Sequence, residues 1–338
     1  MKQKILIVVV FICVILLATW GWWRLNYSPL TENKPYLGEI TFGWNAWPGV
    51  LPYLVALDKG FYQDEGLGAS MKYEEDYMTL INDLESGIID FSGAITLMDL
   101  LERAESKGLV TVVMTDYSNG ADGIVASKEI TSVLGLKNKK VAFEEGTFSE
   151  YLLQTALKKN GLSLADVTKV NATASEAATA FVEKRVDAAV TYDPEFTNAV
   201  KNGDGNRIFT SADVPGFIAD VLAFKKDFVE KNSPQVEAVL RAYFRAVEYI
   251  KNNKKESYDI GAKYFKISVQ DFAEQIQGVK QVDYKDNLTA FSHFPGQESI
   301  YTSGRLLNSF LIEQKKLKDY MNLDEVLLSE FLRRVNKR

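Results

Sequence analysis

Acidic and aromatic side chains recur where predicted β-strands begin or end along this chain of 338 residues. Asp122, Glu145 and Asp193 stand beside apolar runs, Tyr192 adjoins Asp193, and Asp220 interrupts the otherwise apolar run 218–224. A carboxylate next to an aromatic ring suits an amine, because the charge-assisted hydrogen bond and the ring face both favour positive charge. The pattern therefore predicts a binding site for a small nitrogen-containing molecule, cationic or neutral.

Two tryptophans follow the first predicted strand, three residues apart. They are Trp44 and Trp47, and Pro48 and Gly49 directly after the second of them keep this segment out of a helix. Each indole alone could equally pack beneath the loop as part of the core. Because both stand at a strand end, we expect at least one of them to line a pocket.

Small and hydroxyl-bearing residues follow two other predicted strands. Ser92 and Gly93 come after the third strand, and Thr147 and Ser149 follow a glycine at a predicted helix start. Residues of this kind permit close approach of a ligand to free backbone N–H groups, but they also cap helices in ordinary turns. We predict ligand contacts at these four positions and leave the capping alternative open.

Histidine and cysteine each occur once, as His293 and Cys13. A chain with one of each offers no multi-histidine metal site, no internal disulfide and no thiolate cluster. His293 falls in a loop of the predicted helical tail, away from every strand end, and is expected to be a surface or packing residue. No catalytic residue, metal or cofactor is therefore predicted, and binding is favoured over catalysis.

The overall composition is that of a globular protein, with 46% hydrophobic and 25% charged residues and a formal net charge of −6. Its length predicts about two domains. The acidic balance argues against a nucleic-acid partner, which requires a basic face.

The amino terminus carries an uncharged run of nineteen residues, 5–23, with lysines before it and an arginine after it. This length just spans a bilayer core, and residues 1–25 are predicted to be an uncleaved transmembrane anchor or a cleaved signal segment. Lipidation at Cys13 is the least favoured alternative. All three export the rest of the chain, which has 36 basic against 45 acidic residues. Residues 26–37 are interpreted as a tether.

The remaining sequence alternates strand-like and helix-like segments, as in α/β folds with mainly parallel sheets. Strands are predicted over 39–44, 71–73, 88–92, 110–115, 123–127, 141–143, 168–170, 188–192 and 218–224. Helices are predicted over 51–59, 77–86, 96–106, 149–160, 175–184, 235–252, 256–264, 269–277 and 300–313. Ligands of open α/β sheets bind beyond the carboxyl ends of strands, so residues there are the expected contacts.

The order of short motifs between about residues 40 and 310 resembles a family of ABC-importer solute-binding proteins for nitrate, sulfonates, taurine and thiamine precursors. The motifs are Trp47-Pro48-Gly49, Gly87-x-x-Asp90-Phe91, the run 134–142, Gly146-Thr147-x-Ser149, the run 177–190 and Tyr192-Asp193-Pro194. The resemblance implies the type II periplasmic-binding-protein fold, in which two α/β lobes joined by two crossover strands hold the ligand between them. Mapped onto this chain, lobe I is 38–123 with 218–338, and lobe II is 124–217.

The same resemblance implies an extracytoplasmic, monomeric solute-binding protein that delivers its ligand to an ABC permease and its ATPase. The acids above favour a nitrogen-containing ligand over a simple oxyanion, because unpaired carboxylates repel an anion. A sulfonate- or nitrate-type anion remains the alternative ligand. A membrane-anchored sensor receptor and an enzyme on the same fold are the alternatives of other classes.

Overall fold

The computed structural model describes residues 34–294, 296 and 299–335. The predicted anchor, 1–25, and residues 26–33 of the predicted tether lie outside this part. Within the described residues, none of the helices combines the length and apolar character that crossing a bilayer requires.

Eleven β-strands occur in the described residues. They are β1 Gly38–Trp44, β2 Leu67–Tyr73, β3 Phe91–Thr96, β4 Leu109–Ser118, β5 Asp122–Ala126, β6 Lys140–Phe143, β7 Thr168–Asn171, β8 Ala188–Tyr192, β9 Asn206–Thr210, β10 Ala219–Lys225 and β11 Val279–Gln281. Several of them are buried along their whole length, as expected for sheets covered by helices on both faces.

The helices before β9 alternate with strands, and those after β10 follow one another. The first group is α1 Leu51–Asp58, α2 Phe61–Asp64, α3 Tyr77–Ser86, α4 Leu97–Lys107, α5 Phe148–Lys159, α6 Ala174–Val182 and α7 Glu195–Gly203. The second group is α8 Lys226–Lys231, α9 Ser233–Asn252, α10 Lys254–Phe265, α11 Val269–Gln275, α12 Tyr284–Ala290, α13 Ile300–Glu313 and α14 Glu330–Val335.

Helix ends follow the local sequence. Asp76 caps α3 by accepting from the Thr79 backbone N–H, and Gly87 ends that helix in a left-handed conformation with φ of 77°. Thr173 and Glu176 form a reciprocal capping box at the start of α6. Such caps satisfy N–H groups that the first helical turn leaves without partners.

The strands form two sheets. The first has the order β11-β4-β10-β3-β1-β2, and the second has the order β7-β6-β8-β5-β9. In each sheet one strand that links it to the other runs antiparallel to its neighbours: β10 in the first sheet and β5 in the second. The chain passes between the sheets twice, after β4 and after β9. The predicted mixed α/β architecture with two crossovers is confirmed.

The third strand differs from its prediction. The sequence predicts it over 88–92, whereas β3 occupies Phe91–Thr96. Ile88 and Ile89 instead close the turn after α3, where both backbone N–H groups donate to the Asp83 carbonyl. Ser92 and Gly93 consequently lie inside the strand, and Thr96 stands at its end.

Aromatic packing consolidates the first sheet beneath its helices. The Phe91 ring stacks on Phe42 at 5.8 Å and on Phe224 at 5.5 Å between centroids, which ties β1, β3 and β10 together. All three side chains are essentially inaccessible to solvent. Burial of each contributes about 2–3 kcal/mol to folding, so this stack holds rigid the strand ends that carry the site.

Candidate functional site

A small pocket lies where the strand ends of the two sheets meet, and is called the inner pocket below. It contains about 270 Å³ of space between atoms, partly open to solvent. Four residues singled out in the sequence line it: Trp47, Asp122, Tyr192 and Asp220. Asp220 belongs to the first sheet, whereas Asp122 and Tyr192 are paired across β5 and β8 of the second. The pocket is therefore built from both sheets.

Asp220 is hydrogen-bonded to a second buried acid, Asp116, which stands opposite it on the neighbouring strand β4. Burial raises the pKa of Asp116 to about 7, against hydrogen bonds from Trp47 and Thr115 that lower it. Burial and then the charge of Asp116 raise the pKa of Asp220 well above its usual value. Two carboxyls held this closely share a proton rather than ionise together.

The Trp47 indole N–H donates to Asp116 Oδ1 at 3.0 Å, and the Thr115 hydroxyl donates to Asp116 Oδ2 at 3.0 Å. Gly49 makes this arrangement possible. A Cβ at Gly49 would lie 2.3 Å from the Trp47 indole nitrogen and 2.5 Å from Asp116 Oδ2. Any larger residue at 49 would displace either the ring or the carboxyl.

The carboxyl group of Asp122 has an oxygen whose hydrogen-bonding capacity is unused. Its side chain is buried, and Oδ2 accepts no hydrogen bond from any residue that the structure describes. Burial raises the pKa of Asp122 to about 7; a hydrogen bond from Ser118 lowers it, and the nearby charges of Asp193 and Asp116 raise it. A buried acceptor without a partner costs about 1–3 kcal/mol, so this oxygen is placed to accept a hydrogen bond from a ligand.

Aromatic rings from both sheets close over these acids. The Tyr192 ring packs against Trp47 at 6.2 Å and against Phe148, the first residue of α5, at 5.6 Å between centroids. Phe148 in turn meets the edge of Tyr77 at 5.6 Å. The Tyr77 hydroxyl donates to Asp99 at 2.9 Å, which fixes the ring. The rings of Trp47, Tyr77, Phe148 and Tyr192 are called the lid below, and the carboxyl groups of Asp116, Asp122 and Asp220 are called the floor.

A second, larger pocket adjoins the first and is called the outer pocket. It contains about 950 Å³ of space and shares Tyr77 and Tyr192 with the inner pocket. Its acidic lining residues are Glu75, Asp76, Glu144, Glu176 and Glu195, and no lysine or arginine lines it. The route into the inner pocket is therefore acidic as well.

Three predicted contacts lie outside the inner pocket because they pack into the first sheet. The Trp44 ring packs against Tyr73 at 4.9 Å between centroids. Ser92 is fully buried and its hydroxyl accepts from the Ala94 backbone N–H. A Cβ on Gly93 would lie 2.2 Å from the ring of Tyr53, so this glycine serves packing. The shift of β3 by three residues moves Ser92 and Gly93 away from the strand end.

Four predicted contacts in the second sheet also lie outside the inner pocket. Glu145 is exposed and pairs with Lys169 at 3.0 Å. Thr147 caps α5 through the Ser149 backbone N–H. Asp193 accepts from the Thr197 backbone N–H at 2.9 Å and acts as a helix cap. Ser149 is buried, and its hydroxyl has no hydrogen-bond partner among the described residues. The capping alternative accounts for Thr147 and Asp193.

Sequence reasoning missed several lining residues. The inner pocket also contains Asn45, Tyr77, Ala94, Thr96 and Ile218. Asp116, which holds Asp220 but does not itself line the pocket, was missed although it directly follows the predicted strand 110–115; the structure extends that strand, β4, to Ser118. His293 lies at the surface, with its ring stacked on Tyr301 at 4.0 Å.

The profile of the NMT1/THI5-like family matches residues 47–257, from the Trp47 loop to the first turn of α10. The chain belongs to this family. The match includes every residue of the two pockets except Ala46 and Asn45. The predicted family resemblance is therefore confirmed.

Several curated relatives share about one quarter of their aligned residues with this chain. A binding protein of Brucella abortus, named provisionally as such, is 26% identical over 70% of this chain and 74% of its own length. The riboflavin-binding protein RibY of Chloroflexus aurantiacus is 26% identical over 70% of this chain and 69% of its own. A protein of Escherichia coli provisionally named an aliphatic sulfonates-binding protein is 26% identical over 54% of this chain and 58% of its own.

Solved structures show the same fold at lower identity. The aliphatic sulphonate-binding protein SsuA of Escherichia coli has a TM-score of 0.70 at 18% identity, covering 86% of this chain and 91% of its own. The nitrate-binding protein NrtA of Synechocystis has a TM-score of 0.70 at 16% identity, covering 90% of both chains. The desulfurization enzyme DszB shares the fold too, with a TM-score of 0.66 at 15% identity, covering 89% of this chain and 99% of its own.

These comparisons support the predicted class, a solute-binding component of an importer. Binding proteins predominate among the neighbours, although the fold also supports an enzyme. On the ligand, the names of the sulfonate- and nitrate-binding neighbours agree better with the predicted alternative, an anion, than with a nitrogen-containing molecule.

Proposed function

We propose that this protein is the extracytoplasmic solute-binding component of an ABC importer and that its inner pocket takes a small nitrogen-containing ligand, cationic or neutral. One observation carries the ligand class: the unpartnered, buried Oδ2 of Asp122 faces a pocket that no lysine or arginine lines. A ligand N–H would supply the hydrogen bond that this oxygen lacks.

The charges of the floor support the same ligand class. Asp116, Asp122 and Asp220 are all buried; the charge of Asp116 raises the pKa of both Asp122 and Asp220, and the charge of Asp122 raises that of Asp220. A positively charged ligand bound among these acids would favour the ionised form of at least one carboxyl group, because opposite charges attract strongly at low effective dielectric. The rings of Trp47 and Tyr192 would add an aromatic face to the same cation.

Capture would proceed by closure of two lobes, predicted as 38–123 with 218–338 and 124–217. Closure is favoured when a ligand contacts both faces, since only the closed form offers all contacts. The floor and lid meet this requirement, because Trp47 and Asp220 come from the first sheet and Asp122, Phe148 and Tyr192 from the second. A permease would then recognise the closed form, and an amino-terminal anchor would keep it near that permease.

A sulfonate- or nitrate-type anion is the second candidate ligand, and the neighbours' names favour it. The pocket offers an anion one chemical route. Carboxyl groups whose pKa is raised to about 7, as for Asp116 and Asp122, can be protonated and donate to an oxyanion in mildly acidic solution. The two candidates therefore differ in the sign of their pH dependence.

Titration calorimetry of the full-length chain with amines, neutral nitrogen heterocycles, ethanesulfonate and nitrate separates the candidates. We expect an amine or a heterocycle to bind and Asp122→Asn to weaken that binding at least tenfold, because the amide replaces an acceptor of ligand N–H groups. Glu105→Gln, which removes an exposed charge far from both pockets, is the matched control. Binding of ethanesulfonate or nitrate alone would contradict the nitrogen-containing ligand, and turnover of a bound compound would support the enzyme alternative.

A further inference from the structure

Three acidic side chains of the outer pocket have neither a hydrogen-bond donor nor an ion-pair partner among the described residues. No residue in the described part of the chain donates a hydrogen bond or an ion pair to the side chains of Glu75, Glu144 or Glu195. Asp76 and Glu176, in contrast, are used as helix caps. The three free acids therefore have no structural task that the described contacts reveal.

Glu144 is the most informative of the three. It lines the outer pocket, yet its side chain is only 7% exposed. Burial raises the pKa of Glu144 to about 7, and the charges of Asp76, Asp99 and Glu176 raise it further. A buried carboxyl that faces a cavity and has no partner among the described residues is the kind of group that a ligand satisfies.

The two pockets adjoin each other, because Tyr77 and Tyr192 line both of them. A ligand that passes these two rings would meet Asp122 and Asp220 on one side and Glu144 on the other. A single bound metal ion does not explain the outer acids, because no three acidic or histidine side chains in the described residues are close enough together to hold one.

We propose that the ligand is elongated and carries two separated positively charged or N–H-rich ends, one bound at the inner pocket and the other at Glu144 in the outer pocket. This inference rests on the proposed function, since the inner pocket must first accept a nitrogen-containing group. The chemical class is that of diamines and of molecules with an amine at each end. Tyr77 and Tyr192 contact the apolar middle of such a ligand.

The test compares putrescine with n-butylamine, which has the same four-carbon chain but a single amine, by titration calorimetry on the full-length chain. We expect putrescine to bind at least tenfold more tightly, which corresponds to about 1.4 kcal/mol, because its second amine makes a further charge-assisted hydrogen bond. Glu144→Gln should reduce the preference to less than threefold and leave the affinity for n-butylamine within twofold. Glu105→Gln should change neither value.

The outcomes separate the two proposals. Equal affinities for putrescine and n-butylamine, both lost in Asp122→Asn, would overturn the two-ended ligand and leave the proposed function intact. Absence of binding by both amines would overturn the two-ended ligand, whereas binding of a neutral nitrogen heterocycle would still leave the proposed function intact. A melting curve of Glu144→Gln checks its folding, and Glu195→Gln provides a second variant of the outer pocket, expected to reduce the putrescine preference as well.

Discussion

Asp116 and Asp220 are Cα partners on the antiparallel strands β4 and β10, and their carboxyl groups are hydrogen-bonded to each other. Both strands are buried at this point. The sheet register therefore places the two carboxyl groups in contact. A proton can occupy the space between them, or a ligand cation can neutralise the pair from the pocket side. Competition between proton and ligand is the basis of the first prediction, and titration of the acid pair in the unliganded protein is the basis of the second.

Amine affinity should fall as the solution is acidified. The pKa values of Asp116 and Asp122 are raised to about 7, so below this pH a proton occupies the oxygens that the amine needs. With one proton displaced per ligand, affinity decreases about tenfold per pH unit below pH 7. Calorimetry between about pH 8 and pH 5.5 measures it. An affinity that increases over this range would instead support an anionic ligand.

Stability of the unliganded protein should depend on the acid pair. Folding raises the pKa values of both acids, so the folded state holds their protons more tightly than the unfolded chain does. The free energy of unfolding is therefore highest below about pH 4, where both states are protonated, and decreases as the pH rises towards the folded-state pKa. Asp220→Asn replaces one acid by an amide that can donate a hydrogen bond to Asp116, so the stability should no longer decrease in this way as the pH rises. We expect the variant to be about 1–3 kcal/mol more stable than the parent at pH 8, with little gain at pH 5. Chemical denaturation at the two pH values measures the difference, and an equal effect at both would contradict it.

Trp47→Phe should weaken binding without unfolding the protein. The substitution keeps an aromatic ring over the pocket but removes the N–H that donates to Asp116 at 3.0 Å. Loss of this hydrogen bond to a carboxylate costs about 1.5–3 kcal/mol at the site, and we expect affinity to fall by about tenfold or more. Trp44→Phe is the matched control: its indole nitrogen has no hydrogen-bond partner among the described residues, and its ring lies outside both pockets. Equal losses in both variants would indicate a packing effect.

Lys316→Met should reduce affinity although Lys316 lines neither pocket. Its ammonium group donates to Glu102 of α4 at 2.8 Å and to the Gly146 carbonyl, which follows β6 of the second sheet, at 2.7 Å. These contacts connect elements packed on different sheets, so their loss should favour the open form. We expect a decrease in affinity of about threefold to tenfold, since a ligand must then supply more of the closure energy. Lys318→Met, at an exposed position, is the control and should bind normally.

Much of the fold could be predicted from the sequence, because apolar periodicity and helix-end signals coincide with the observed elements. The helices 77–86 and 300–313 and the strand 188–192 have the predicted bounds. The Gly-rich segment around 202–206 misled the prediction, because Asn206–Thr210 pairs with β5 as an edge strand. Pairing across the sheet, which no local pattern reveals, decides such edges.

The site was predictable only in part, for a similar reason. Trp47, Asp122, Tyr192 and Asp220 reach the inner pocket because they flank crossover strands or strand ends. Glu145 and Glu144 are adjacent, and only the register of β6 places Glu144 towards the pocket and its neighbour in solvent. Asp116 was invisible as a site residue, because its role depends on Asp220, which lies 104 positions later in the chain.

The contact between Trp47 and Tyr192, at 6.2 Å between ring centroids, gives the protein an optical reporter of its own. The indole belongs to one sheet and the phenol to the other, so separation of the sheets would expose Trp47 to water and shift its fluorescence emission to longer wavelength. In a variant that retains Trp47 as its sole tryptophan, ligand capture could then be followed in real time without an added dye.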